Sequence, residues 1–307
     1  MIPEIVLPVI VVLFALAVGV YCTSAIDSAL AIKLSGVSGP NALKAPVYRS
    51  ASLWLAPASQ TEAPDTQAWR LSPVLYLVLA AMGLALVPWS ASFIPVDLTT
   101  GVVLWGALEP LATVLIFLHG WAPNAHASLL GGYRYVSLGL SYILVSMFVL
   151  IGVALPAESL QFSAIVEAQG ELWNVIRQPL GLPLFLIVGM GISFWGPLNF
   201  ADSPDLAAGT SAEVSGRSRL LWEIGRAAML VAFSAIAATA FLGGWMGPVL
   251  PGPVWLILKT LVVLAMVLAL GRLLPRPSPD RFLTWAWVAL LPLSFLNLAW
   301  AGVEALP

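Results

Sequence analysis

Stretches of about twenty apolar residues recur along the whole chain, near 5–25, 71–90, 98–119, 134–156, 180–200, 226–246, 253–274 and 283–303. Each is long enough for a helix to cross the hydrocarbon of a bilayer, which takes about 20 residues. The stretches between them, at 33–70, 120–133, 157–179, 201–225 and 275–282, collect the charges, glycines and prolines. Composition agrees: 60% of the 307 residues are hydrophobic and 9% charged, with a mean hydropathy of +0.96. A soluble chain carries about 25% charged residues, so the polar groups here could not cover a surface in water. The reading is an all-α, polytopic membrane protein of about eight transmembrane helices, a single transmembrane domain over 1–307. The Met-Ile-Pro-Glu start lacks the basic segment of a cleavable signal, and the run behind it is long enough to span and stay.

Basic residues orient the bundle, because they concentrate on cytoplasmic loops. Lys33, Lys44, Arg49, Arg70, Arg134, Arg217, Arg219, Arg226, Arg272, Arg276 and Arg281 fall on alternate loops, leaving Arg177 and Lys259 opposite, beside Asp97, Glu158, Glu167 and Glu171. Both termini are therefore expected on the non-cytoplasmic side, with 33–70 (loop 1–2) and 201–225 (loop 5–6) as the large cytoplasmic loops. A net charge of −2 without a basic stripe gives no basis for nucleic-acid binding. One cysteine, Cys22, and two histidines, His119 and His126, supply neither a disulfide framework nor ligands for a haem, a cluster or another metal site. The histidines read as interface residues, and most of the 13 tryptophans as interfacial belts.

Ionisable residues inside spans are functional candidates by default. Glu109 lies mid-span before Pro110; it is either a polar site opened by the proline or a structural carboxyl bonded to a neighbour. Lys259, early in the seventh span, is expected to snorkel to the outer interface, and Asp27 to end the first helix at the interface. Loop 5–6 gathers Asp202, Asp205, Glu213, Arg217, Arg219, Glu223 and Arg226. It also carries Phe200, Leu206, Val214, Leu220, Leu221 and Trp222, which a solvated loop does not need and a packed one does.

Several of these segments resemble the H subunit of bacterial NADH:quinone oxidoreductase (respiratory complex I), and the related membrane subunit of group 4 hydrogenases and formate hydrogenlyase. Residues 241–248, Phe-Leu-Gly-Gly-Trp-Met-Gly-Pro, are similar to FLGGWxGP, and Pro253 to Lys259 to the family's PxWxxxK. Pro275-Arg276, Asp280, Trp287, Leu290-Leu291-Pro292 and Asn297 keep the spacing of one C-terminal pattern. Gly120-Trp121-Ala122-Pro123-Asn124, Leu129 to Arg134 and Ser141-Tyr142 resemble GWASN, LLGAxR and SYE. Gly39-Pro40-Asn41, Tyr48-Arg49 and Leu53-Trp54 resemble the first inner loop, with Tyr-Arg leaning to the hydrogenase branch and FLGGW to the quinone branch. Residues 197–216 are similar to a one-residue-shorter form of the family's acidic loop, ending in Glu213-Val214-Ser215-Gly216.

The sequence departs from the pattern at charged positions. The SYE glutamate is Ile143, a second glutamate is Arg226, and an arginine before GPN falls near Ser38. Glu223 could supply the charge lost at Arg226 from one helical turn away. The resemblance implies a membrane-arm subunit that docks a peripheral Fe–S arm, bounds a quinone site and couples electron transfer to proton movement. It places no redox centre in the chain itself. NAD(P)H, flavin and Fe–S clusters would sit on partner subunits, and the inner ends of the first and sixth helices would bound any quinone. Asp202, Asp205, Glu213, Glu223 and Glu109 are the expected coupling residues. Arg134, Arg217, Arg219, Arg49 and Trp54 are expected at the quinone cavity or the docking surface, in a multi-pass protein of the inner (plasma) membrane. A secondary transporter using Glu109 and Lys259 as a coupling pair is the rival from another class, and a structural anchor without coupling the third reading.

Overall fold

The computed structural model describes residues 2–36, 41–202 and 208–305, with the side chains of 2–5 left aside. Asp205 and the Gly39-Pro40 pair lie outside the described residues. The described chain is helical throughout: α1 (Ile2–Ser35), α2 (Ala45–Leu55), α3 (Thr66–Ala85), α4 (Gly101–Trp121), α5 (His126–Ala154), α6 (Phe162–Glu167), α7 (Asn174–Arg177), α8 (Gly181–Ile192), α9 (Gly216–Phe241), α10 (Gly252–Leu273), α11 (Pro279–Trp285) and α12 (Leu291–Glu304). Five residues in π geometry, Ala286–Leu290, join α11 to α12. The cause is local: Pro292 has no N–H to give to the turn before it, and a π turn takes up the register.

Among the described residues, seven helices are long and apolar enough to cross a membrane: Val6–Ser35, Thr66–Ala85, Gly101–Trp121, His126–Ala157, Gly216–Phe241, Gly252–Leu273 and Pro279–Glu304. The eighth expected span, 180–200, is α-helical only over Gly181–Ile192, followed by a single 3-10 turn at Gly196–Leu198. Twelve residues at about 1.5 Å each give roughly 18 Å, well short of the ~30 Å hydrocarbon core. Phe194 (φ 39°) and Gly196 (φ 62°) then turn the backbone left-handed. A broken helix is tolerated in a membrane only where protein encloses it, and α8 is enclosed by α5, α9 and α10. Leu184, Phe185, Val188 and Met190 are all buried. A side chain at Gly196 would collide with the Gly271 backbone of α10.

Helix α9 is buried on nearly every side and forms the axis around which α1, α2, α3, α8 and α10 pack. Ala227, Ala228, Ala232, Ala235, Ala237, Ala238 and Ala240 let those helices approach closely, as small residues do at membrane helix contacts. Outward faces stay apolar, with Phe14, Leu13, Val288 and Trp300 exposed.

Loop 33–70 contains the eleven-residue surface helix α2, and its remaining arm, 56–65, is tied down on both sides. Asp65 N–H and the Thr61 hydroxyl donate to the carbonyls of Ala122 and Pro123. On the other side the Ser59 and Ser215 hydroxyls donate to the carbonyls of Glu213 and Pro57. The Asp65 carboxylate caps α3 through Gln67 and Ala68 N–H. The expected 201–225 loop is also shorter than read, because α9 starts at Gly216, whose φ of 61° makes the turn. The face carrying α2 and residues 193–202 and 208–215 is termed the loop face.

A Cβ at Gly189 would overlap the ring of Phe233, where α8 rests on the axis helix. Gly189→Ala should lower stability in detergent by about 1–3 kcal/mol through overpacking, read as a drop in the melting temperature of the purified protein. An unchanged Tm would show that this contact is not close-packed.

Candidate functional site

The broken end of α8 organises the loop face. A helix end leaves its last carbonyls unmet, and here side chains from three other helices reach them. Tyr135 Oη donates to Gly191 O at 3.0 Å and Tyr76 Oη to Ile192 O at 2.8 Å. Arg226 Nη2 donates to Phe194 O at 2.7 Å, its guanidinium 4.4 Å from the Phe194 ring centre and 5.1 Å from that of Trp195. A cation at a helix C-terminus also complements the helix dipole. The arginine at position 226 thus closes α8 rather than presenting a carboxylate.

The segment after α8 is clamped from α5. Arg134 Nε donates to Phe200 O at 2.7 Å and its Nη2 to Ala208 O at 2.8 Å. Close approach is possible because Gly131 has no side chain: a Cβ there would come within 2.6 Å of Thr210 N. Arg276 Nη2 donates to Gly196 O at 3.3 Å, and Asn199 bonds Asp202 both through its amide and through its side-chain carbonyl.

Four charged side chains then alternate across the face. Asp202 lies 3.4 Å from Arg219, Arg219 lies 3.2 Å from Glu223, and Glu223 lies 2.9 Å from Arg49 on α2. The Asp202 side chain is 9% exposed and the Arg49 side chain 65%, so the file runs from the interior to the rim. Its outer pair is worth about 0–1 kcal/mol; its value is in placement. Beside it a cavity of about 90 Å³ opens between α1, α2 and α9, lined by Val20, Ser24, Trp195, Ile224, Arg49 and Arg226 among others. At its floor Asp27 pairs with Arg272 of α10 at 2.7 Å. Asp27 does not end the first helix as expected, since α1 continues two turns beyond it to Ser35.

The structure therefore brings together Asp202, Arg219, Glu223 and Arg49 from the sequence candidates, with Arg134 as the clamp behind them. Arg217 stacks on Trp54 at 4.5 Å, a separate pair on the outer edge of the face. Glu213 enters through its backbone carbonyl, which accepts from Ser59. Glu109 stands apart, buried in mid-bundle, its Oε1 accepting from the Ser146 hydroxyl at 2.7 Å.

Two expectations are corrected. His119 is fully buried, stacked on Trp222 at 3.7 Å and hydrogen-bonded to Ser72 at 3.3 Å, because Gly120 lets α4 press against Ser128 and Thr210. It is no interface residue. Lys259 is held by the protein, with 5% of its surface exposed. Its Nζ donates to Gly244 O at 3.0 Å and Met246 O at 2.6 Å and lies 4.3 Å from the Trp173 ring centre. The glycine turn 243–244, with φ of 70° and 47°, folds those carbonyls back onto it. Lys259 and Glu109 thus have separate partners on separate helices, which removes the geometric basis for a coupling pair.

The family model for NADH dehydrogenase matches residues 4–302. The chain belongs to that family. Its curated relatives include H-type subunits of bacterial NADH-quinone oxidoreductases. The type 1 form from Rhodopseudomonas palustris strain HaA2 is 36% identical over 78% of this chain and 75% of the relative. The type 2 form from R. palustris strain ATCC BAA-98 / CGA009 is 40% identical over 74% and 70%. The type 2 form from Cereibacter sphaeroides strain ATCC 17029 is 35% identical over 78% and 77%. Tyr76, Tyr135, Ser72 and Arg276, which hold the family member's loop face together, were not singled out as site residues from sequence. No local signal marks Tyr76 or Tyr135, because their partners are backbone carbonyls of α8, 116 and 56 positions away.

Two hydrogen bonds from a charged donor are worth about 1.5–3 kcal/mol each. Arg134→Met should therefore leave the helices folded but release the backbone at Phe200 and Ala208. Limited trypsin cleavage at Arg217 and Arg219 is expected to accelerate on the order of 10–100-fold. Cleavage at the wild-type rate would show that the clamp is dispensable.

Proposed function

We propose that this chain is a membrane-arm subunit of a complex-I-type NADH:quinone oxidoreductase in the inner (plasma) membrane, with the loop face on the cytoplasmic side and both termini opposite. On this reading the loop face docks the peripheral Fe–S arm, whose subunits carry NAD(P)H, flavin and clusters, and other membrane-arm subunits lie alongside the apolar flanks. Electron transfer in the docked arm is coupled here to proton translocation.

The observation that carries the reading is the file Asp202–Arg219–Glu223–Arg49, whose outer members Glu223 and Arg49 line a cavity at the end of a broken helix. The cavity suits a quinone headgroup as substrate. Val20, Trp195 and Ile224 give it an apolar side, Ser24, Ser28, Ser50, Asp27 and Glu223 a polar one, and Arg49 and Arg226 offer donors to ring carbonyls. A quinone gains two protons with its two electrons, and a file of carboxylates and guanidiniums reaching from that cavity to the interior can report the change by re-pairing. Glu223, held between two arginines, supplies the negative charge that position 226 lacks.

Purification from native membranes in mild detergent, with mass spectrometry and EPR of what co-purifies, tests the assembly. Fe–S proteins and further membrane subunits should accompany the chain; isolation of the chain alone overturns the reading, and a nickel signal moves it to the hydrogenase branch. Within an assembled complex, Glu223→Gln should lower NADH:quinone activity about tenfold, within the range of lost proton-transfer groups. Full activity in that variant removes Glu223 from the mechanism.

A further inference from the structure

Opposite the loop face, at the far end of α5, lies a charged hollow that the reading above does not use. Two long helices stop there, α5 at Ala154 and α12 at Glu304. Between their ends is a cavity of about 310 Å³, lined by Leu155, Pro156, Glu158, Arg177, Glu304 and Ala305. The last carbonyls of a helix have no partner within it, and its dipole favours a cation at that end. Glu158, at a φ of 48°, closes the 3-10 turn Leu155–Ala157 that follows α5. Arg177 is fixed across the hollow by bonds to both helices. The Trp300 indole N–H of α12 donates to Arg177 O at 2.9 Å. The next residue, Gln178, donates to Gly152 O of α5 at 2.6 Å and accepts from the Asn297 amide of α12 at 3.2 Å. Among the described residues the Arg177 guanidinium nevertheless forms no ion pair with Glu158 or Glu304.

From the hollow toward mid-membrane the surface turns apolar. An adjoining depression shares Leu155 and Glu158 with it and takes in Ile151. Leu140, Leu144, Met147 and Ile151 are exposed and follow one another at spacings of four, three and four, which puts them on one face of α5. The positions from Leu140 to Ile151 cover about 16 Å at 1.5 Å each, roughly half of the ~30 Å hydrocarbon core. That is the depth of one leaflet, and so the reach of one acyl chain. On neighbouring α12, Trp300 and Val303 are also exposed, with the tryptophan at the level where interfacial aromatics sit.

We propose that this hollow binds one zwitterionic phospholipid whose headgroup carries a primary amine, with the phosphate on Arg177 and the ammonium between Glu158 and Glu304. The charges select that class. A guanidinium and two carboxylates that line one hollow without pairing suit a ligand bearing both signs. One cation against two carboxylates leaves the hollow net negative, which repels a headgroup of net negative charge. A primary ammonium has three N–H donors for carboxylates and helix-end carbonyls, whereas a quaternary ammonium has none. The acyl chain lies along the stripe from Ile151 to Leu140. The site requires only that α5 and α12 end at a membrane surface, so it stands apart from the role of the loop face.

Native mass spectrometry of the whole chain in mild detergent tests this, after equilibration with equal amounts of phosphatidylethanolamine, phosphatidylcholine and phosphatidylglycerol of identical acyl chains. The wild type should retain one phosphatidylethanolamine more than Arg177→Gln does, and should prefer it about tenfold over the other two lipids, the scale of one charge-assisted hydrogen bond. Glu158→Gln with Glu304→Gln leaves Arg177 as the hollow's one charge and should invert the preference toward phosphatidylglycerol, an outcome that misfolding does not produce. Glu304→Gln alone, exposed at the end of α12, serves if the double variant does not fold; its preference over phosphatidylglycerol should narrow. Equal retention of the three lipids by the wild type overturns the proposal, as does a preference that the glutamate variants leave unchanged. Displacement of the bound lipid by an equal concentration of soluble glycerophosphoethanolamine also overturns it, because the site would then take a free headgroup rather than a lipid.

Discussion

Backbone polar groups in a bilayer must find partners within the protein, and α8 makes this the governing demand of the structure. A helix that stops after twelve residues exposes carbonyls at a depth where no water is at hand. Three helices answer with one side chain each: Tyr76 from α3, Tyr135 from α5 and Arg226 from α9. Those three residues fix where α3, α5 and α9 stand relative to one another, and the charged file is built on that frame. Arg219 and Glu223 lie within two turns of Arg226 on α9, so the closure of α8 also sets the wall of the cavity.

The same demand is met differently at the other end of α8. There the chain between α5 and α8 folds back in short pieces, and amides rather than charges serve it. Gln169 bonds the carbonyls of Ile165 and Thr239 and accepts from Asn174 and Gly243 N–H. Gln178 donates to Gly152 O and accepts from Asn297. An amide both donates and accepts without carrying a charge, so it can stitch a buried loop without the desolvation cost of an ion. Lys259 is the cation on this side with an equivalent task, holding the 244–246 carbonyls under Trp173. The protein thus uses mainly neutral stitching on one face and titratable stitching on the other. That asymmetry leaves the ion-paired side chains gathered on the loop face.

How much of this could be read from the chain depends on the range of the interactions. Hydropathy reports one residue at a time, and it located all seven long spans, although α1 runs on to Ser35 and α5 and α9 begin eight to ten residues earlier than read. It read 180–200 as a full span because Phe194 and Trp195 are as apolar as a helix interior. What ends α8 there is a left-handed turn and a backbone contact between Gly196 and Gly271, which join residues seventy-five positions apart. The apolar residues of loop 5–6 did foretell a packed segment: Phe200 and Val214 are buried, and Trp222 lies fully inside α9. The partners of Asp202 and Glu223 were legible only as a crowd of charges. Which charge meets which is set by the pitch of α9 and by the arrival of α2, neither of which a sequence states.

His119 and Arg226 show why charge alone misleads at such sites. A histidine at the end of an apolar run reads as interfacial until a tryptophan from another helix covers it. An arginine in place of a family glutamate reads as a lost function until its guanidinium is found on the open end of a helix. In both cases the side chain serves a partner whose need is invisible locally.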